Sequence, residues 1–402
     1  MTAGPRGATG GRNGAPVPPV RTRRDRLAMV GVTMGFGFAL GQGMLVLPLL
    51  ALAAGYDAAA VGLLASVSAI SQVGMRLTLP RLLARYPDRL MMAIACGALA
   101  ASYSALFISS ALPVFIVAQL LQGSARAWFW TSSQTHAIRS GSGSGRSIAE
   151  VTIWGNIGTF LGPAVAGLLA TASLILPVAV GVAFSLLALV ASLGLARLPT
   201  YDRLAPRGAT GRMWRRPGVD LACWSNVSTG GWRALLNSYV PVILDAVGHP
   251  PAVIGAIQSM ADLFVTASAV ALSRWQIVHT RRAIGIAVGV TALATMAFPF
   301  VAQWAILAGL AIGVSGIAAG IQMTLSPSLA GEAVTPNEQG EAIAVAGTFR
   351  AGALLVTPAA LSATLAVIAL PVAVAVTGAI VALPTAIVLV RNRRPASLAR
   401  DG

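Results

Sequence analysis

The sequence predicts an all-α membrane protein with twelve transmembrane helices, arranged as two six-helix pseudo-repeat bundles. Hydrophobic residues make up 56% of the 402-residue chain and charged residues only 10%, whereas a soluble domain carries about 25% charge. The chain also divides into twelve apolar segments, each of about the 20 residues that cross a bilayer. Its basic residues are all arginine, 28 in number, and they cluster at both ends and in alternate connecting loops.

The twelve predicted spans follow one another with short connections. They are 27–53, 60–79, 90–109, 112–137, 150–172, 175–197, 219–246, 251–273, 283–300, 304–328, 341–365 and 369–390. Residues 1–26 are rich in Gly, Pro and Arg and predict a disordered basic tail; 392–402 form a second tail. The first apolar run is too long for the h-region of a signal peptide, so we interpret it as the first transmembrane helix.

The arginines predict the direction of the spans. Every second loop lacks arginine: 54–60, 108–113, 172–177, 245–251, 300–304 and 366–370. The intervening loops are rich in arginine, except 329–340, which has none. Because cytoplasmic loops retain positive charge, we expect a multi-pass protein of the cytoplasmic membrane with both termini inside the cell. Anionic lipid headgroups then account for the net charge of +16, and no nucleic-acid partner is expected.

An internal repeat divides the spans into two halves. The polar stretch 199–218 is predicted to be a cytoplasmic linker between a bundle at 27–198 and a bundle at 219–391. The sequence around Gly145 recurs at Gly340, an offset of 195 residues, and Pro163 recurs at Pro358. Halves related in this way place a substrate cavity between them, near the bilayer midplane.

The fifth span carries the most specific motif. Residues 158–167 read Gly-Thr-Phe-Leu-Gly-Pro-Ala-Val-Ala-Gly. This resembles the antiporter motif GxxxGPxxGG of the major facilitator superfamily of secondary transporters, with Gly158, Gly162, Pro163 and Gly167 matched and Ala166 in place of a glycine. The resemblance covers essentially the whole chain and implies a monomer working without a cofactor, by alternating access, as an antiporter. The alternative is that the glycines only form a packing seam.

Two other motifs of that family are altered here. The loop after the second span is similar to GxLaDRxGRR; it keeps Arg85 and also carries Arg81, but Ala84 stands where the family has an acid of an inner gate. In the fourth span Gln119 replaces the arginine of RxxQG, which the family associates with proton coupling. Arg126 lies two turns further on the same helix face, so we expect Arg126 to take over proton coupling.

Four charges are predicted near the bilayer midplane: Arg126, Arg233, Asp262 and Arg350 lie roughly 17 to 22 Å from the outer ends of their spans. A charge at that depth normally faces a cavity or a partner. Asp262 is the only carboxylate deep in a predicted span. It either alternates between a salt bridge and a protonated state, since burial raises and a nearby arginine lowers a carboxyl pKa, or forms a fixed bridge with Arg233.

Polar and aromatic residues on the same spans suggest a site for a flat or amphipathic organic molecule. The further candidates for substrate contact are Gln42, Gln122, Trp130, Asn226, Gln258 and Gln322.

The sequence therefore predicts a proton-coupled exporter of small organic compounds, with an importer or facilitator of the same fold as the alternative. A membrane enzyme or receptor is the third possibility. An enzyme would need clustered His, Asp or Glu near an interface, and these residues are scattered here. No metal or cofactor is predicted.

Overall fold

The computed structural model describes residues 22–83, 85–140, 144–200, 213–274, 279–335 and 338–391. Within them the chain forms twelve α-helices: α1 Arg23–Ala53, α2 Ala58–Leu83, α3 Asp88–Ile108, α4 Leu112–Ser140, α5 Ser144–Ala170, α6 Ile175–Leu193, α7 Val219–Ala246, α8 Pro251–Arg274, α9 Thr280–Val301, α10 Ala305–Glu332, α11 Gln339–Thr364 and α12 Leu370–Arg391. A short 3₁₀ turn, Met213–Arg215, precedes α7. The predicted tail at 392–402 and most of the predicted linker at 199–218 lie outside the described residues.

The start of α1 differs from the prediction of a disordered tail over residues 1–26. Residues 23–26 are already helical, because the hydroxyl of Thr22 accepts a hydrogen bond from the backbone N–H of Asp25 and caps the helix. The preceding residues, 1–21, are outside the described part of the chain.

The helices are those of a multi-pass membrane protein. Ten of them are long and apolar enough to cross a bilayer, judged on the described residues. The other two, α4 and α7, are also of spanning length but carry arginine and amide side chains. Large apolar side chains point outward over the bundle, such as Leu187, Leu293 and Ile306, which is 79% exposed. This inverts the pattern of a soluble protein and suits a hydrocarbon surround.

The two halves repeat the same tie between their first and last helices. At the start of α1, Asp25 accepts a hydrogen bond of 2.7 Å from the backbone N–H of Ala196, just after α6. At the start of α7, Asp220 accepts one of 2.8 Å from the guanidinium of Arg391, at the end of α12. Both residues of the second tie lie 195 positions after those of the first. This recurrence supports the predicted pseudo-repeat.

The N-terminal half is held by backbone contact between α1 and α5. A Cβ added at Gly41 would lie 2.5 Å from the carbonyl oxygen of Thr159, and one at Gly162 would lie 2.5 Å from that of Phe38. A Cβ at Gly158 would likewise overlap the carbonyl of Met34. Only glycine permits this approach. Gly158 and Gly162 therefore bind α5 to α1 within one half.

Candidate functional site

The two halves touch on one side of the membrane bundle. We call the side on which α1 begins and α12 ends the termini side, and the opposite side the distal side. The packed helix pairs that join the halves are α1 with α7 and α8, α2 with α7 and α11, and α5 with α8.

The α5–α8 contact forms a glycine seam on the distal side. A Cβ at Gly167 would lie 3.1 Å from the Cα of Ala252, and one at Gly255 would lie 3.1 Å from the Cα of Gly167 and overlap the carbonyl of Pro163. Gly167 and Pro163 come from the end of α5, whereas Gly255 lies in the second turn of α8. The second part of the fifth-span motif thus contacts the other half of the protein.

A hydrogen-bonded cluster closes the α2–α11 contact on the same side. The hydroxyl of Ser362 donates to the carbonyl of Ala59 at 3.0 Å. The hydroxyl of Tyr239 lies 2.8 Å from that of Ser362, and a Cβ at Gly62 would overlap it. We call Ala59, Gly62, Tyr239 and Ser362 the distal latch.

Further along the same helices, toward the termini side, the halves separate. A Cβ at Gly74 on α2, or at Gly347 or Gly352 on α11, would meet no atom within 4 Å. Arg76 on α2 and Thr348 on α11 are exposed. Helices α2 and α11 therefore touch at their distal ends and leave space between the halves toward the termini side.

A cavity of about 60 Å³ lies under the distal latch. Its polar lining comes from both halves: Gln72, Gln119, Gln122, Arg126 and Asn237. Its apolar lining includes Leu47, Leu64 and Leu354. A volume of this size holds about two water molecules, so an organic ligand would fill the cavity only together with the space between the halves.

An ion pair joins α7 and α8 beside this cavity. The Nη2 atom of Arg233 lies 2.6 Å from Oδ1 of Asp262, and both side chains are largely buried, with 12% and 8% exposed. The guanidinium carbon of Arg233 is also 5.0 Å from the ring centroid of Trp232. Next along α7, Ala234 lines the cavity. The salt bridge between Arg233 and Asp262 is compatible with both alternatives, the alternating bridge and the fixed one, and the choice between them stays a prediction.

Two more arginines of the predicted layer act on this pair. Arg126 lines the cavity and interacts electrostatically with Arg233. Arg350 interacts electrostatically with Arg233, Arg76 and Asp262. The four predicted charges are thus brought together in one layer. We call Arg126, Arg233, Asp262 and Arg350 the charged layer. Arg76, an exposed residue of α2, interacts electrostatically with Arg350 from outside this layer.

Of three predicted amide side chains, one lines the cavity, one contacts a residue of its lining, and one is buried elsewhere in the N-terminal half. Gln122 lines it, and its Nε2 atom is buried without a hydrogen-bond partner in the described structure. Gln258 donates across the halves to the carbonyl of Met44 at 3.3 Å and, within its own half, to that of Leu236 at 2.9 Å. Gln42 is fully buried, and neither atom of its amide is paired among the described residues.

Three other predicted contact residues lie away from the cavity. Gln322 is fully buried and donates at 2.7 Å to Thr291, inside the C-terminal half. Asn226 donates to the carbonyl one turn earlier in its own helix, at 2.9 Å. Trp130 packs edge-on against Phe36 with ring centroids 6.4 Å apart. None of the three side chains is among those that line the cavity, and a role for them in substrate contact stays a prediction.

The arginines of the altered loop motif are on the termini side. Arg81 falls in α2, but its side chain is outside the described part of the structure. Arg85 is exposed, and its guanidinium lies 5.8 Å from the ring centroid of Tyr86.

Sequence reasoning missed two buried tyrosines. The hydroxyl of Tyr103 donates to the backbone carbonyl of Ala39, and it lies beside the cavity, 2.8 Å from where a Cβ at Gly43 would be. Tyr239 forms part of the distal latch. Both tyrosines stand in the middle of apolar spans, and a hydroxyl in that position requires a partner. That signal could have identified them.

A surface ion pair connects the starts of α7 and α11 on the termini side. Arg216 donates from Nη1 to Oε2 of Glu338 at 2.9 Å. This hydrogen bond and those from Thr335 lower the pKa of Glu338 to about 2. The pair lies at the surface, with 48% and 31% of the two side chains exposed, so its effect on stability is small.

Comparison with known proteins agrees with this architecture. A family model described as Major Facilitator Superfamily matches residues 27–358. Among curated protein sequences, none matches the chain.

Several solved transporter structures are similar to the whole chain. The nucleoside transporter NupG is 13% identical with a TM-score of 0.73, over 93% of this chain and 100% of that one. A bacterial homologue of the human lysosomal transporter Spinster, in an inward-facing and unoccupied conformation, is 11% identical with a TM-score of 0.73, over 92% and 98%. A POT family transporter in complex with a thioalcohol-conjugated peptide is 11% identical with a TM-score of 0.70, over 92% and 96%. At these identities the likeness shows the fold.

Proposed function

The chain belongs to the major facilitator superfamily, and from that premise we propose that it is a proton-coupled secondary transporter that exports small organic compounds by alternating access. It is a membrane transporter and not an enzyme. We further propose that the protein acts as a monomer in the cytoplasmic membrane, with its termini side facing the cytoplasm.

The observation that carries the coupling is the Arg233–Asp262 pair beside the cavity. Among the described residues, Asp262 is the carboxylate that belongs to the charged layer. Protonation of Asp262 removes its negative charge and weakens the bridge, which frees Arg233 for other partners. A proton arriving at this site therefore changes the contact between α7 and α8 and the charge that faces the cavity.

Alternating access is supported by the place of the fifth-span motif. The seam of Gly167, Pro163 and Gly255 lies between the halves on the distal side, which must part for the cavity to open outward. With the termini side in the cytoplasm, the conformation described here is inward-facing.

Uptake is the second candidate function, and the excess of arginine in the charged layer favours it. When Asp262 is protonated the layer becomes more positive, so a proton and a negatively charged compound would bind together. A proton entering the cell down its gradient would then carry the compound inward.

The test uses inverted membrane vesicles with an imposed inside-acid pH gradient. Compounds are either added outside or preloaded in the lumen, and collapse of the gradient is followed by a pH-sensitive dye. We expect collapse by an added compound for antiport and by a preloaded compound for symport. Asp262→Asn should abolish either response, whereas Asp245→Asn, an exposed carboxylate near the distal end of α7, should preserve it.

Retention of full coupling by a folded Asp262→Asn protein would contradict the assignment of Asp262. No collapse in either arrangement, across cationic, neutral and anionic compounds with folded protein present, would contradict proton coupling altogether.

A further inference from the structure

The proposed function leaves the cargo unnamed, and we propose that it is a small organic anion, held by Arg126, Arg233 and Arg350 through a carboxylate or phosphate group. This inference rests on the proposed function only in taking the cavity between the halves as the transport site.

The charge of the layer is the first argument. Arg126 lines the cavity, Arg233 pairs with Asp262, and a Cβ added at Gly230, one turn before Arg233 on α7, would lie 2.6 Å from the backbone carbonyl of Arg350. Three positive charges and one negative charge leave two positive charges uncompensated. Asp262 is already engaged by Arg233, and within the described residues no carboxylate forms an ion pair with Arg126 or Arg350.

Unused hydrogen-bond donors are the second argument. The Nε atom of Arg126 and the Nη1 atom of Arg233 are buried without a partner among the described residues, as is the Nε2 atom of Gln122. A guanidinium has only donors, and a buried donor without an acceptor is costly. An anion in the cavity supplies the acceptors and the missing negative charge at once.

The type of anion follows from the shape of these groups. The forked donors of arginine match the paired oxygens of a carboxylate or phosphate. The apolar lining from Leu47, Leu64 and Leu354 suits the carbon skeleton attached to that group. A cation at the same place would meet three like charges, which excludes it as the preferred cargo.

The test compares four probes with the same ring and different charge: benzoate, phenyl phosphate, benzamide and benzylamine. Binding to the purified full-length protein is measured as the concentration-dependent rise in Tm. We expect saturable stabilisation by benzoate, by phenyl phosphate or by both, which also separates the two headgroups. Benzamide and benzylamine should have no effect.

Variants locate the binding to the charged layer. Arg126→Gln and Arg350→Gln should each weaken the apparent affinity for the anion by roughly tenfold or more, as expected for a charged hydrogen-bond partner. Arg282→Gln, an exposed arginine at the start of α9, is the matched control and should bind as the parent protein does. If Arg126→Gln does not fold, Arg126→Lys replaces it, because lysine keeps the charge and loses the fork.

Stabilisation by benzylamine in place of the anions would overturn the proposal, and so would anion binding that is equal in the parent and in both variants. Proton-coupled movement of benzylamine that depends on Asp262 would support the proposed function while contradicting the anionic cargo. Arginine-dependent anion binding without flux in any vesicle arrangement would support the anion site and contradict transport.

Discussion

We predict that loss of Asp262 destabilises the folded protein more than loss of its partner Arg233. In Asp262→Asn, the arginines of the layer lose their common counter-charge. In Arg233→Gln, one repulsive charge is removed and Asp262 keeps the electrostatic attraction of Arg350. Asp262→Asn should therefore destabilise the protein more than Arg233→Gln, and the double variant should lose less than the sum of the two.

The magnitude follows from the distance and the burial. At the 2.6 Å separation of Nη2 and Oδ1, an effective dielectric constant of about 20 gives an attraction of roughly 6 kcal/mol. Desolvation offsets part of this, and removal of one partner of a buried pair costs about 3–5 kcal/mol. We expect the upper part of that range for Asp262→Asn, which corresponds to a fall in Tm on the order of 5–10 °C.

The assay can use the cysteines of the chain. Cys96 and Cys223 are free and buried, one in each half. A thiol-reactive fluorescent dye therefore reports the unfolding of both halves during a thermal ramp of purified protein. If the two single variants fall equally in Tm and their effects add in the double variant, the charges are independent and the asymmetry argument is refuted.

Three further outcomes are expected. Gly255→Leu should push the halves apart on the distal side, because its side chain overlaps a carbonyl of α5; solvent accessibility of cysteines introduced beside the seam should rise, and unchanged accessibility would contradict the seam. Tyr239→Phe should weaken the distal latch by about 1 kcal/mol through loss of its hydrogen bond to Ser362, seen as a lower Tm. The double variant with Ser362→Ala should lose more, because the bond from Ser362 to Ala59 is also removed, but less than the sum of the two single variants, and full additivity would contradict the shared bond. The pKa of Glu338 in the folded protein is low, so its bridge to Arg216 is fully present above the ordinary pKa of 4.5 and is lost as pH falls toward about 2. The Tm difference between the parent and Glu338→Gln should therefore be constant from pH 6 to pH 8. A change in that difference within this window would contradict the pKa assignment.

The fold could be predicted from the sequence because the bilayer imposes a strong hydropathy pattern on it. Twelve apolar segments became twelve helices, although several helices extend beyond the predicted spans. Helix α10, for example, continues to Glu332, past the predicted end at 328. Hydropathy reports the part of a helix that lies in hydrocarbon, whereas the helix itself ends where its backbone groups find other partners.

The candidate site could be predicted from the sequence only in part. Helical spacing shows which residues share a helix face, but not which helix packs against that face. The charges Arg233 and Asp262 were informative, since a charge in the bilayer needs a partner or a cavity. An amide has more ways to be satisfied. Gln322 finds a hydroxyl on α9, and Asn226 bonds to its own helix. Which helix packs against which face depends on contacts between residues far apart in the chain.

The ties at Asp25 and Asp220 have a mechanical consequence. Each joins the first and last helices of its half, so each half is braced to move as a rigid lever, with the glycine seam near Gly167 as the fulcrum. Helix α5 begins at Ser144, about 35 Å from Gly167, so a rotation of about 10° at the seam would displace that end by roughly 6 Å. A small displacement caused by a larger side chain at the seam would therefore produce a displacement several times larger at the far end of the helix.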